Sequence, residues 1–160
     1  IAELLWTKAV NESQASDSGS AVSLTSSRQP EQTVRDVLTS TQTILVVDDA
    51  ALVRRRIEAS LTTHGYVVHT CRDGLEAWNW LCSNPAPALV ITDIEMPNMD
   101  GFTLIDRSRQ AGMNLPIVVV SSRLSEEWGK EARRLGATDY LTKGFTTPEL
   151  LNKVSSFLTK

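Results

Sequence analysis

Leu89-Val90-Ile91-Thr92-Asp93-Ile94-Glu95-Met96-Pro97-Asn98-Met99-Asp100-Gly101 sets one aspartate, Asp93, at the end of a short apolar, β-branched run, and a turn punctuated by Pro97 and Gly101 follows at once. A short apolar run bounded by turn residues reads as a buried strand. A carboxylate at the carboxyl end of such a strand faces a loop and is positioned for chemistry rather than packing. Three other runs end in the same manner. Thr43-Ile44-Leu45-Val46-Val47 ends in Asp48-Asp49, Ile117-Val118-Val119-Val120 in Ser121-Ser122, and Tyr140-Leu141-Thr142 in Lys143. Three acids, a hydroxyl and an amine at four strand ends are the inventory of a site that handles Mg²⁺ and phosphate.

Outward from these strand ends, apolar runs alternate with amphipathic segments. The pattern predicts strands over 43–47, 66–70, 88–92, 116–120 and 138–142, and helices over 51–63, 74–83, 102–111, 124–135 and 147–158. Gly65, Gly112 and Gly136 fall where helices should stop, Pro116 opens a strand, and Pro148 sits in a first helical turn. Five βα repeats predict an α/β fold, with a parallel sheet covered on both faces by helices through right-handed crossovers. Such sheets bind ligands at the carboxyl ends of their strands, where the strand order reverses. All four functional strand ends fall on that edge.

The chain has 160 residues, enough for one domain and an extension. Residues 43–160 are expected to form the domain. Residues 11–33 are rich in Ser, Thr and Gln and bury too little apolar surface to offset their ordering entropy, so 11–42 reads as a linker. Within it, Val34, Val37 and Leu38 suggest a short helix over 30–39. Ile1, Leu4, Leu5 and Trp6 make residues 1–10 either the end of a preceding domain or a docked segment. A start at Ile1 rather than Met leads to the expectation of a piece of a longer protein.

Composition narrows the function classes. A net charge of −3 gives no basic stripe for nucleic acid, and Arg54-Arg55-Arg56 reads as a solvated helix face and a rim of the site. No apolar run reaches the ~20 residues of a membrane span, and no secretory signal is present. Cys71 and Cys82 lack metal-ligand spacing and read as small buried hydrophobes in a reduced, cytoplasmic setting. Of the tryptophans, Trp78 fits the apolar helix phase and Trp80 does not. Trp128 is equally suited to core or to an exposed partner surface. His64 and His69 have no acidic neighbour at ligand spacing and read as structural.

Three carboxylates in one crevice raise one another's pKa unless a cation is shared. Mg²⁺, or Mn²⁺, takes oxygen ligands and relieves this. Asp49 and Asp93 are expected as direct ligands, Asp48 as a water-mediated partner, and the Glu95 backbone carbonyl as a further ligand. Asp93 is then the candidate nucleophile for a phosphoryl group. The cation and Lys143 would neutralise phosphoryl charge, and Ser121 would donate a hydrogen bond. No residue is left over as a base to activate water, so the site is suited to holding a phosphoryl group rather than to rapid turnover.

Asp48-Asp49, Asp93 within D-I-E-M-P-N-M-D-G, Ser121, Tyr140 and Lys143 together resemble the receiver domain of two-component response regulators, over residues 43–160. The resemblance implies a flavodoxin-like (βα)5 sheet of strand order 2-1-3-4-5. It also implies phosphorylation of Asp93 by a histidine kinase or a histidine phosphotransfer domain. It assigns a switch to Ser121 and Tyr140, acting on a downstream protein through the face of the fourth helix, fifth strand and fifth helix. Glu95 and Arg123, two residues beyond Asp93 and Ser121, occupy positions that tune phosphoryl lifetime in the family. The phrases D-I-E-M-P-N-M-D-G-F, S-S-R and L-G-A-T-D-Y-L-T-K are most similar to C-terminal receivers of chemotaxis-type hybrid histidine kinases.

One position departs from the family pattern. The usual Lys-Pro is Lys143-Gly144 here, which disfavours a cis peptide bond and predicts a looser loop after the fifth strand. Two other classes compete with the receiver reading. A haloacid-dehalogenase-type hydrolase wants D-x-D, but residue 95 is Glu, and Asp48-Asp49 would go unexplained. A pseudo-receiver, which binds partners without taking phosphate, would be compatible with Gly144 but not with an intact set of acids, hydroxyl and amine.

Overall fold

A computed structural model describes residues 42–122 and 126–158. The expectations for residues 1–10, for the linker through residue 41 with a short helix over 30–39, and for Arg123 lie outside the described residues. Strands and helices alternate: β1 (Thr43–Val47), α1 (Ala51–Thr62), β2 (Val67–Cys71), α2 (Gly74–Ser83), β3 (Leu89–Thr92), α3 (Gly101–Gln110), β4 (Ile117–Ser121), α4 (Glu126–Leu135), β5 (Asp139–Thr142) and α5 (Thr147–Ser155). The five strands form one parallel sheet in the order β2-β1-β3-β4-β5. The parallel sheet is the one expected from the alternation, and its flavodoxin-like order is the one the family resemblance implied. The order reverses between β1 and β3, the two strands that end in acids.

The period-two alternation of each central strand explains why both faces carry helices. Leu45, Val47, Val90, Ile117 and Val119 pack with Ala77, Leu81, Leu104, Ile105 and Ala132, from α2, α3 and α4. The intervening Ile44, Val46, Leu89, Ile91, Val118 and Val120 pack with Ile57, Leu61, Leu150 and Val154, from α1 and α5. Each is essentially inaccessible to solvent or nearly so. Burial of one such Leu, Ile or Val contributes about 1.5–3 kcal/mol, so both faces are needed to hold the central strands. The edge strand β2 instead alternates exposed and half-buried positions until Cys71.

Helix boundaries follow side-chain capping. Asp73 accepts from the Glu76 N–H at 2.8 Å to start α2, and Asp100 accepts from the Thr103 N–H at 2.7 Å to start α3. Thr146 and Glu149 form a reciprocal capping box on α5, with Pro148 in its first turn. Gly65, Gly112 and Gly136 all take positive φ after helices, as their positions predicted. The fifth helix is shorter than expected. It stops at Ser155, and Leu158 continues into the core from a turn.

Of the two cysteines expected to be buried, one is and one is not. Cys71 is buried, and desolvation first, then the charges of Glu76 and Asp73, push its thiol up to about 12. Cys82 is exposed, because its helix position points away from the sheet. Trp80, off the apolar phase of α2, stacks on His69 of β2 with ring centroids 4.9 Å apart. Trp128 is half-buried, its ring edge-on to Phe102 at 5.8 Å.

Candidate functional site

Parallel register brings the acids together. Val47 of β1 pairs with Thr92 of β3, so the next residues, Asp48 and Asp93, leave the sheet side by side. Two backbone bonds extend the ladder past its formal ends: the Asp93 N–H donates to Val47 at 2.8 Å, and the Asp48 N–H to Cys71 at 3.1 Å. Carboxylate oxygens of Asp48, Asp49 and Asp93 all lie within 4.8 Å of one another. Asp48 and Asp93 are buried, whereas Asp49 is exposed at the mouth.

Lys143 arrives from the end of β5. Its Nζ donates to Asp93 Oδ2 at 2.5 Å and lies 3.0 Å from Asp48 Oδ2. The second contact is a buried ion pair, so Asp48 shares the ammonium with Asp93. The other oxygens are held by backbone: the Ile94 N–H donates to Asp93 Oδ1, and the Ala50 N–H to Asp48 Oδ1. Burial raises the Asp48 carboxyl above its ordinary range, against the pull of Lys143, and the negative charge of Asp93 adds to the rise. Burial alone would lower the Lys143 ammonium. Its bonds and charge attraction to Asp93 and Asp48 overcome that and raise it.

Three carboxylates, two of them buried, that share a single ammonium are a donor set that fits a hard divalent cation. Asp48, Asp49 and Asp93 are the side chains that would hold it.

The loop after β3 is folded back on Asp93. The Gly101 N–H donates to the Ile94 carbonyl at 2.9 Å, and a Cβ at Gly101 would overlap the Asp93 carbonyl oxygen. Asn98 adopts left-handed φ (63°), which Asn tolerates better than most residues. Its side-chain amide donates to Asp73 Oδ2 at 2.7 Å, and the Gly74 N–H donates to the Met99 carbonyl at 3.0 Å. These contacts staple the loop to the start of α2. The sequence reading missed them, although Asn between Pro and Met, and Asp before a helix-opening Gly, were visible signals.

Ser121 ends β4 fully buried, opposite Thr142 in the register and bonded through its carbonyl to the Lys143 N–H at 3.0 Å. It thus belongs to the same sheet edge as the acids. Glu95 is exposed in the loop after Asp93. Tyr140 sits further back on β5, 37% exposed, with the Arg133 guanidinium 5.2 Å from its ring centroid. Arg54 confirms the expected rim: it donates to the Asp48 carbonyl at 2.5 Å and reaches the Asp49 carbonyl at 3.4 Å.

Fold and site geometry define a doubly wound α/β module with an acid triad and an amine at its switch-point crevice. Residues 44–155 match the family model of the response regulator receiver domain, and the chain belongs to that family. It is similar to the response regulator MprA of Mycobacterium sp. (strain KMS), 39% identical over 115 residues that make up 72% of this chain and 50% of that protein. The chain therefore spans about half the length of that relative. Among solved structures, chemotaxis protein CheY4 of Vibrio cholerae matches with a TM-score of 0.70 and 30% identity, over 74% of this chain and all of that one, 100%. The receiver domain of NtrX from Brucella abortus matches with a TM-score of 0.67 and 31% identity, over 73% of this chain and 99% of that one.

Proposed function

We propose that this domain takes a phosphoryl group onto Asp93 from a phosphohistidine, carried by a histidine kinase or a histidine phosphotransfer domain. The observation that carries the reading is the Lys143 ammonium at 2.5 Å from Asp93 and 3.0 Å from Asp48, in a crevice with a third carboxylate. In the transfer, an Asp93 carboxylate oxygen forms a bond to phosphorus as the donor's P–N bond breaks, and the imidazole leaves with the electron pair. Transfer of this kind depends on positioning and charge stabilisation. Lys143 neutralises charge on the phosphoryl oxygens, and the Ser121 hydroxyl donates to one of them.

Mg²⁺ or Mn²⁺, held by Asp48, Asp49, Asp93 and the Glu95 carbonyl, supplies the remaining positive charge when bound. Asp48, Asp49 and Lys143 are committed to charge balance, so none serves as a base for water. The phosphoryl group then persists, and the domain is a switch rather than a turnover enzyme. Glu95, with Arg123, sets how long it stays. Phosphorylation draws Ser121 toward Asp93 and turns Tyr140 inward, remodelling the face of α4, β5 and α5 for a downstream protein. The setting is the cytoplasm, where histidine kinases present their donors. No helix among the described residues is long and apolar enough to cross a membrane.

The likeness to hybrid-kinase receivers rests on short phrases, and the MprA relatives are response regulators, so the proposal stops at the receiver. Gly144 alone would favour a pseudo-receiver, but the contact of Lys143 with Asp93 runs against it. Beryllofluoride with Mg²⁺ tests the reading. The expected result is saturable NMR shifts at the amides of Asp93, Ser121 and Lys143 and across α4, β5 and α5. No shifts at saturating beryllofluoride would overturn it in favour of an interaction module.

A further inference from the structure

We infer that Arg56 is a positioning residue for Lys143, fixing from α1 the turn that carries the amine into the site. The inference rests on the reading of Lys143 as the phosphoryl-neutralising group. Lys143 occupies the second position of a turn from Thr142 to Phe145, closed by the Phe145 N–H donating to the Thr142 carbonyl at 2.9 Å. The next residue is Gly144, in a trans linkage, and a Cβ built there would meet nothing within 4 Å. Gly144 thus has no side chain to pack, and glycine is the most permissive backbone unit. Left to itself, the turn would not hold an ammonium against two buried carboxylates.

Phe145 and Arg56 supply what Gly144 lacks. The Phe145 ring is 3% exposed and lies in the core between the sheet, α1 and α5. From the second turn of α1, Arg56 Nη2 donates to the Phe145 carbonyl at 2.6 Å, and its guanidinium carbon lies 4.9 Å from the Phe145 ring centroid. One side chain therefore grips both the backbone and the ring of the residue after Gly144. The Ser60 and Thr147 hydroxyls, 3.4 Å apart, continue the α1 contact one turn further along.

The N-terminal turn of α1, just before Arg56, is tied to the acids. The Ala50 N–H donates to Asp48 Oδ1, and Arg54 donates to the Asp48 carbonyl. A single helix thus sets the acid pair and the amine in register with each other. Guanidinium suits the task because it stacks on a ring and donates in its own plane, whereas a lysine ammonium can donate but not stack.

The test is the rate of phosphorylation of the full chain by phosphoramidate at saturating Mg²⁺, in a double-mutant cycle of Arg56→Ala and Gly144→Ala. Arg56→Ala is expected to slow phosphorylation about 3- to 10-fold, the scale of one ordinary hydrogen bond, while Mg²⁺ affinity stays unchanged. Gly144→Ala, sterically free and outside the left-handed region, leaves the parent rate as it is. In the Arg56→Ala background it recovers part of the rate by stiffening the turn, and Arg56→Lys recovers part by restoring the carbonyl bond. A parent rate in Arg56→Ala, or a loss that neither second variant touches, overturns the inference. Amide exchange decides it separately from the phosphoryl reading. Even in a chain that takes no phosphate, Arg56→Ala should speed exchange at the Phe145 and Lys143 N–H groups, and unchanged exchange there contradicts the assignment.

Discussion

At Asp48 and Asp93, two buried carboxylates share one ammonium, and the energetic consequence can be measured. Removing one partner of a buried charge pair leaves the other uncompensated, at a cost of about 3–5 kcal/mol when burial is complete. Lys143 keeps 17% of its side chain exposed, so Lys143→Ala is expected to cost less, about 1–3 kcal/mol in urea denaturation. Added Mg²⁺ should then recover more stability in the variant than in the parent, because the cation replaces the missing charge. Equal recovery in both would argue against a shared charge role.

Asp73 makes a residue-scale prediction of opposite chemistry. Its bond from the Glu76 N–H, aided by Asn98, the Leu75 N–H and Arg72, outweighs burial and holds its carboxyl below the ordinary range. A lowered native pKa means stability that is present above the ordinary carboxylate pKa and lost as pH falls through the native value. Asp73→Asn keeps a good N-cap but loses the charge, and should cost about 1 kcal/mol at neutral pH. The gap to the parent should close as pH drops below about 4. A gap that persists in acid would show that the amide swap, not the charge, is responsible.

At the scale of elements, Gly101 and Gly144 should respond in opposite ways to the same change. A Cβ at Gly101 meets the Asp93 carbonyl and the Ile94 Cα, both backbone, with no rotamer to absorb the clash. Gly101→Ala is expected to cost about 1–3 kcal/mol, the scale of overpacking, and to weaken beryllofluoride binding by displacing Asp93. Gly144→Ala should do neither. The residues at the strand ends were legible in the sequence because alternation and length identify strands, and a strand's last residue must meet a loop. The staples between elements were not. Asn98 to Asp73 spans 25 residues and Arg56 to Phe145 spans 89, and no local periodicity encodes such a distance. For the same reason Arg54-Arg55-Arg56 read as a solvated face and a rim of the site, which Arg54 fits, whereas the grip of Arg56 on the distant Phe145 carbonyl was not legible.

For the whole molecule, the two core faces share the central strands, so neither helix layer can separate without exposing the same sheet. A chain beginning at Gln42 is therefore expected to unfold in one cooperative transition by both circular dichroism and tryptophan fluorescence. Non-coincident transitions would assign part of the core to residues upstream. Strand order could be taken only from resemblance, since five βα repeats admit several orders, while the reversal between β1 and β3 is what makes Asp48, Asp49 and Asp93 neighbours.

Phosphorylation at Asp93 is the claim on which the functional account turns. Intact-mass spectrometry after incubation with phosphoramidate and Mg²⁺ measures it directly. The account predicts a mass gain of one phosphoryl group in the parent chain, labile to hydroxylamine as an acyl phosphate must be, and none in Asp93→Asn. No adduct on the folded parent chain, or an equal adduct on Asp93→Asn, would contradict it.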